Sequence, residues 1–435
     1  MLGLISYISI LVVLVIGVLR WPTVGVAAVL CLYGLKQWGQ STTAFFAEHG
    51  QFTNYAVFVI VLLGLALAAR KRSCVFCQFP TTAKFVVALI IYALFSVAWA
   101  RDPVVSLDQW IAQGPYIITV AFLAPLLFSD FEGARTAFIW TAVVGGTICA
   151  LALVFGKWGN RGLLLYGDIH EWEANPLAMA SLAGTVFLIA GLSLGRPSGI
   201  LMRVFSLACI PVMLAVILKS GSRGQLIASI AGVLVALPFA FRIRDTRSIA
   251  ALVLSAGLIV GLGSWGASLV EIDSTRWQRG DSTEAVTGRL ASAETLLSAS
   301  TSNFFTAVFG LGNSSSFQVI GFYPHIAGLE VVAEEGLLGA ALYVAIIVLA
   351  IRSIRRIFGQ PELTDVKRSV LATLTGLFVF EFILSWKQGS LLSSVYVFAY
   401  AITLARLEKP MPEKAAVSTP ADPGPPLPRF QNLLP

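Results

Sequence analysis

Two arginines, a histidine and a lysine mark the places where this chain could do chemistry. Arg223 stands in KSGSRG (219–224) at the head of an apolar run, Arg289 in TGRL (287–290), His325 in YPH (323–325) and Lys387 in WKQGS (386–390). A helix beginning at Arg223, just after Gly221-Ser222, would set free N–H groups and a partial positive charge beside the guanidinium. That guanidinium matches phosphate oxygens two at a time, which a lysine cannot do. The alternative is an arginine that snorkels to lipid headgroups. Arg289 falls within EAVTGRLASAETLL (284–297), where a solvated helix face is the plainer reading. If the two arginines converge, they can hold the two charges of a pyrophosphate.

His325 titrates near neutrality when unperturbed, so it can accept or shuttle a proton. The competing reading is a ring satisfied by a loop carbonyl. Pro324 ends the preceding loop and Gly328 relieves crowding behind it, which suits a positioned residue. Glu330 follows, and Glu334 is four residues further on the same helical face. Lys157, Arg161, Asp168, His170, Glu171 and Glu173 form another polar stretch. Glu381 lies deep in the apolar LFVFEFILSW, either as a proton-relay group or as a neutral acid bonded to a neighbouring helix. The second reading is preferred, because the sequence shows no partner for it.

The elements that would position these residues are membrane helices. Of 435 residues, 57% are hydrophobic and 12% charged, with a mean hydropathy of +0.82. So few charges cannot cover a water-soluble surface, and long uncharged runs recur. The short alternating segments of a β-barrel are absent. The first run has no small-residue cleavage site and reads as a retained segment. Apolar runs fall near 52–69, 84–99, 110–128, 135–156, 174–194, 203–219, 223–241, 248–265, 328–351, 367–385 and 390–406. The expected fold is an all-α polytopic membrane protein of about 12 spans, or about 13 if the first forty residues cross twice.

Basic clusters set the orientation. Arg70-Lys71-Arg72, Arg196 with Arg203, Arg242/Arg244/Arg247, and Arg352/Arg355/Arg356 with Lys367-Arg368 fall on one side, the cytoplasmic one. The net charge of +7 therefore reflects topology and no nucleic-acid partner. The organisation expected is transmembrane helices over 1–265 and one long periplasmic loop over 266–327. C-terminal spans over 328–409 and a disordered proline-rich cytoplasmic tail over 410–435 complete it. In the loop, Val286, Leu290, Ala293 and Leu297 recur at helical spacing, which predicts a surface-lying amphipathic helix.

Several chemistries are discounted. Cys74 and Cys77 form one CxxC without a second pair, so they read as reduced thiols and not as a zinc site. No D-x-D, Walker A, G-x-S-x-G or HExxH occurs, and nothing implies a metal or cofactor.

Three motifs in order, SGSRGQLIA (220–228), TGRL leading to FGLGNSSSF (287–317) and YPHIAGLEVVAEEGLLG (323–339), resemble the O-antigen ligase and polymerase family of bacterial envelope glycan enzymes. The resemblance is firmest over 174–350. It implies transfer of a glycan from a polyprenyl-pyrophosphate carrier to an acceptor hydroxyl at the periplasmic face of the inner membrane. The acceptor would be lipid A–core for a ligase, the preferred reading, or another carrier-linked repeat for a polymerase. By the same resemblance Arg223, Arg289 and His325 are the catalytic candidates. Arg223, Arg289, Glu330, Lys387 and Arg161 are the candidate substrate contacts. The family's histidine is commonly followed by asparagine, whereas Ile326 stands here. The reading from another class is a secondary transporter with Glu381 on its proton path. No inverted repeat supports it, and the polar residues gather at one face.

Overall fold

The computed structural model is helical almost throughout. It describes residues 2–71, 79–128, 130–159, 162–167, 176–193, 200–240, 246, 249–250, 253–254, 256–257, 260–261, 264–265, 282–361 and 363–408. The first half comprises α1 (Leu2–Arg20), α2 (Val24–Leu30), α3 (Leu32–Thr42), α4 (Ala44–Glu48), α5 (Gln51–Lys71), α6 (Thr81–Ser96), α7 (Pro103–Ile117), α8 (Ala124–Leu127) and α9 (Phe131–Phe155). A π-helical stretch, Ile118–Leu123, joins α7 to α8. The second half comprises α10 (Pro176–Ser193), α11 (Ile200–Lys219), α12 (Arg223–Ala240), α13 (Ser282–Ser300), α14 (Phe304–Phe309), α15 (Ser316–Ile320), α16 (Ala327–Glu334), α17 (Gly336–Phe358), α18 (Asp365–Ser385) and α19 (Val395–Glu408).

Among the described residues, eight helical segments are long and apolar enough to cross a membrane: Gly3–Arg20, Gln51–Arg70, Thr81–Trp99, Pro103–Leu127, Phe131–Phe155, Arg223–Ala240, Gly336–Phe358 and Asp365–Ser385. The chain is thus an all-α membrane protein. In its first forty residues one long apolar helix, α1, is followed by a helix bent between α2 and α3, with every residue of α2 buried.

Two expectations are corrected. The run expected over 328–351 is not one helix, because it breaks at Glu335 into α16 and α17. Gly336 takes φ +63°, a region that favours glycine. The break lets α16 turn aside, so the spanning segment starts at Gly336. The amphipathic stripe predicted on α13 is also not the face that packs. Leu296 is buried against Leu311 and Ala333, while Leu290 is 65% and Leu297 37% exposed. The reason is tertiary: α13 rests on α15 and α16, whose small apolar cluster accepts Leu296.

The packing that matters for the site is between α10, α12 and α18. A Cβ on Gly232 of α12 would sit 2.8 Å from the Gly376 carbonyl of α18, and one on Gly184 of α10 would sit 2.6 Å from Ser229 Oγ. In lipid, helices associate through such close small-residue contacts and not through burial from water. α12 and α18 run antiparallel, so the C-terminal end of α18 meets the N-terminal end of α12. The start of α17 lies at that same end, while Arg355, Arg356, Lys367 and Arg368 lie at the other.

Candidate functional site

The site end begins with a tight turn. After Lys219 closes α11, Gly221 takes φ +66°, and α12 starts at Arg223. The Ser220 hydroxyl donates to the Ile217 carbonyl (2.6 Å) and ties off the end of α11. Arg223 is half-buried at the first position of α12, where the free N–H groups of the helix add positive potential. Gly224 has no side chain for a reason: the Lys387 side chain, amine included, occupies the space a Cβ would take. Next to it, Gln225 Nε2 donates to Gln388 Oε1 (2.9 Å), and the Ser222 hydroxyl donates to Gln225 Oε1. Two cationic residues from separate elements therefore share the first turn of α12.

The turn that carries Lys387 also reaches α16. The Trp386 ring lies on Gly328, where a Cβ would come within 3.0 Å of it, and the Leu391 N–H donates to Glu330 Oε1 (3.0 Å). His325 precedes α16 by two residues. It is exposed and takes φ +55°, a left-handed conformation uncommon outside glycine. Ile326 sits at the N-cap of α16 and supplies no side-chain cap. Partial burial, and then the Arg289 charge nearby, hold the His325 imidazole below its ordinary pKa. It is neutral at pH 7 and able to accept a proton. Arg289 itself is exposed on α13.

The three glutamates are buried and bonded to backbone and side-chain donors of the protein. Glu334 accepts from the Ser314 N–H (2.6 Å), the Ser316 N–H (2.9 Å) and the Ser316 hydroxyl. Glu335 Oε1 accepts from Asn313 Nδ2 (3.1 Å). The loop 310–316 also bonds α6 and α7: the Asn313 N–H donates to Ser96 Oγ (2.9 Å) and the Ser106 hydroxyl to the Asn313 carbonyl (2.7 Å). Gly310, at φ +84°, lets this loop press its backbone on the Glu334 carbonyl. A buried polar knot thus fixes the joint between α16 and α17. Among the described residues, no three His, Cys, Asp or Glu side chains converge to hold a metal.

The knot has a pH signature. Burial raises the Glu334 carboxyl to about 7 against its hydrogen bonds, and burial with the neighbouring Glu334 raises Glu335 to about 8. The folded state then binds protons more tightly than the unfolded chain does. This stabilisation is complete below the ordinary carboxyl pKa and is lost as pH rises through about 7 to 8. The melting temperature of the purified protein is expected to fall from pH 5 to pH 8, and Glu335→Gln is expected to flatten that slope. An unchanged slope in the variant would remove Glu335 from the explanation.

Of the residues singled out in the sequence, Lys387 lies against Gly224, next to Arg223 in the first turn of α12, and Glu330 meets the turn of Lys387. Arg289 and His325 lie within electrostatic reach of each other. Glu330 is 2% exposed, and one of its oxygens accepts from a backbone N–H. Arg161, Asp168, His170, Glu171, Glu173, Cys74, Cys77 and the proline-rich tail lie outside the described residues. Glu381 lies close enough to Tyr33, Tyr116, Tyr396 and Tyr400 to interact with them electrostatically; Tyr33 and Tyr116 have their ring centres 5.4 Å apart. Sequence reasoning missed Gln225, Gln388 and the serine–asparagine loop as positioning elements. Their signal was present, since Gln225 and Gln388 flank Arg223 and Lys387.

The chain matches no protein-family model and no curated protein. Fold and site define a class only: an α-helical membrane protein that gathers cationic residues and a neutral histidine at one end of its bundle.

Proposed function

We propose that this protein is a glycosyltransferase of the O-antigen ligase type. In this reading it moves a glycan from a polyprenyl-pyrophosphate carrier to a lipid A–core hydroxyl at the periplasmic face of the inner membrane. The observation that carries the proposal is an apolar cleft along α12 whose first lining residue, Leu226, lies one turn from Arg223. The cleft has a volume of about 270 Å³ and runs down α12 from Leu226 through Ile230, Val233 and Leu234 to Leu237, with Phe187, Leu214 and Leu218 opposite. The twelve residues from Leu226 to Leu237 span roughly 16 Å of helix, starting one turn from Arg223. A ligand with an anionic head and a long hydrocarbon tail fits that arrangement. A water-soluble solute does not.

The chemistry follows from the leaving group. The acceptor oxygen forms a bond to the anomeric carbon while the bond from that carbon to the pyrophosphate oxygen breaks. Arg223, Arg289 and Lys387 stabilise the charge gathering on the departing polyprenyl pyrophosphate. Neutral His325 takes the acceptor's proton.

The test is a reconstituted transfer assay with a polyprenyl-pyrophosphate oligosaccharide and either lipid A–core or a second carrier-linked oligosaccharide. Glycan on lipid A–core is the expected product, and chain extension on the carrier alone would make the protein a polymerase. Leu234→Trp, which fills the cleft, is expected to raise the donor KM at least ~10-fold with little change in kcat. Unchanged donor KM in that variant would remove the cleft from the proposal.

A further inference from the structure

Glu330 is a buried acid whose position the proposed reaction does not use. Its Oε1 accepts from the Leu391 N–H (3.0 Å), its Oε2 has no hydrogen-bond partner among the described residues, and the residue is 2% exposed. It sits on α16, two residues beyond the Gly328 that seats Trp386. The turn it grips, residues 386–391, holds Lys387 across Gly224 and pairs Gln388 with Gln225. The chain of contacts thus runs from α16, which follows His325, through Glu330 and the turn, to the first turn of α12.

We infer that Glu330 is a positioning residue for the anion site: it holds the 386–391 turn so that Lys387 lies beside Arg223. This rests on the proposed reading of the cationic end as a pyrophosphate site. The form of Glu330 that does this is the neutral acid. Burial, and then the adjacent Glu334, push its carboxyl well above the usual range, and a carboxylate there would add a negative charge behind the cations. A neutral acid needs only its carbonyl-type oxygen to accept from Leu391. Glutamine offers the same acceptor without a charge, whereas alanine offers none.

The experiment compares Glu330→Gln with Glu330→Ala in the full chain in nanodiscs. Hydrogen exchange at the Leu391 amide is measured together with the affinity for a short-chain polyprenyl pyrophosphate. The glutamine variant is expected to keep both wild-type amide protection and wild-type affinity. The alanine variant is expected to lose protection at Leu391 and to bind the pyrophosphate about tenfold more weakly. Because Glu330 acts through Lys387, Glu330→Ala should have no further effect on affinity in a Lys387→Ala background.

Three results would overturn the inference. One is equal loss of affinity in the glutamine and alanine variants, which would mean that the charge matters. Another is lost Leu391 protection with unchanged affinity, which would confine Glu330 to local structure. The third is additivity with Lys387→Ala. If the wild-type protein binds the polyprenyl pyrophosphate but transfers no glycan, the enzymatic reading fails while this inference stands. If the wild type does not bind it, the anion site itself fails, and the positioning role falls with it.

Discussion

Replacing Arg223 with alanine is expected to reduce glycan transfer by about 10²- to 10³-fold, with the protein still folded and inserted. The side chain stands at the N-terminus of α12, the positive end of the helix dipole, and Lys387 shares the same turn. An anion bound there meets two fixed cations and a helix end at a bilayer boundary, where charge interactions are stronger than in bulk water. Taking away the bidentate donor leaves Lys387 with more charge than one amine can match. Arg223→Lys separates charge from geometry, since it keeps the cation and loses the fork. It should recover part of the activity, with a rate about tenfold below wild type. The measurement is initial rate against donor concentration in proteoliposomes, corrected for protein that elutes as a single species. Normal transfer by Arg223→Ala at normal abundance would end the proposed function.

The second large effect is expected at His325. His325→Ala should lower kcat by about 10²- to 10⁴-fold while leaving polyprenyl-pyrophosphate binding intact, because in the proposed reaction the imidazole serves the acceptor and not the carrier. Its pH behaviour follows from its surroundings. Burial and the Arg289 charge both disfavour the imidazolium, so the acid limb of the rate profile should lie below the ordinary histidine value of about 6.5. Removing Arg289 takes away one of the two causes. Arg289→Ala should therefore move that limb to higher pH, part of the way back. A limb that stays in place, or moves down, would show that Arg289 and His325 do not sense each other in the membrane-embedded protein.

How much of this was legible in the sequence differs by residue. The membrane class was legible because burial in lipid demands long uncharged runs, and these survive in any reading of the chain. Arg223 was legible because a serine–glycine turn before an apolar helix announces a helix start. Lys387 carried a weaker signal, since nothing in WKQGS says which helix the lysine will cross. It is the absent side chain of Gly224 that decides this. The bond of Glu330 was illegible for a related reason. Nothing in the spacing around His325 says that Leu391, sixty-one residues away, will donate to that carboxyl.

Composition and periodicity by themselves determined that the chain is helical and membrane-bound, and where most apolar segments lie. Those properties are local: each depends on a window of about twenty residues and on the thickness of the hydrocarbon. The tertiary structure alone decided that α16 breaks from α17 at Glu335. It alone turned α13 to bury Leu296 in place of Leu290 and Leu297, and brought the 386–391 turn against both α12 and α16. Such choices rest on which distant backbone N–H meets a buried carboxyl and which glycine leaves room for a side chain. Neither is encoded in spacing along one segment.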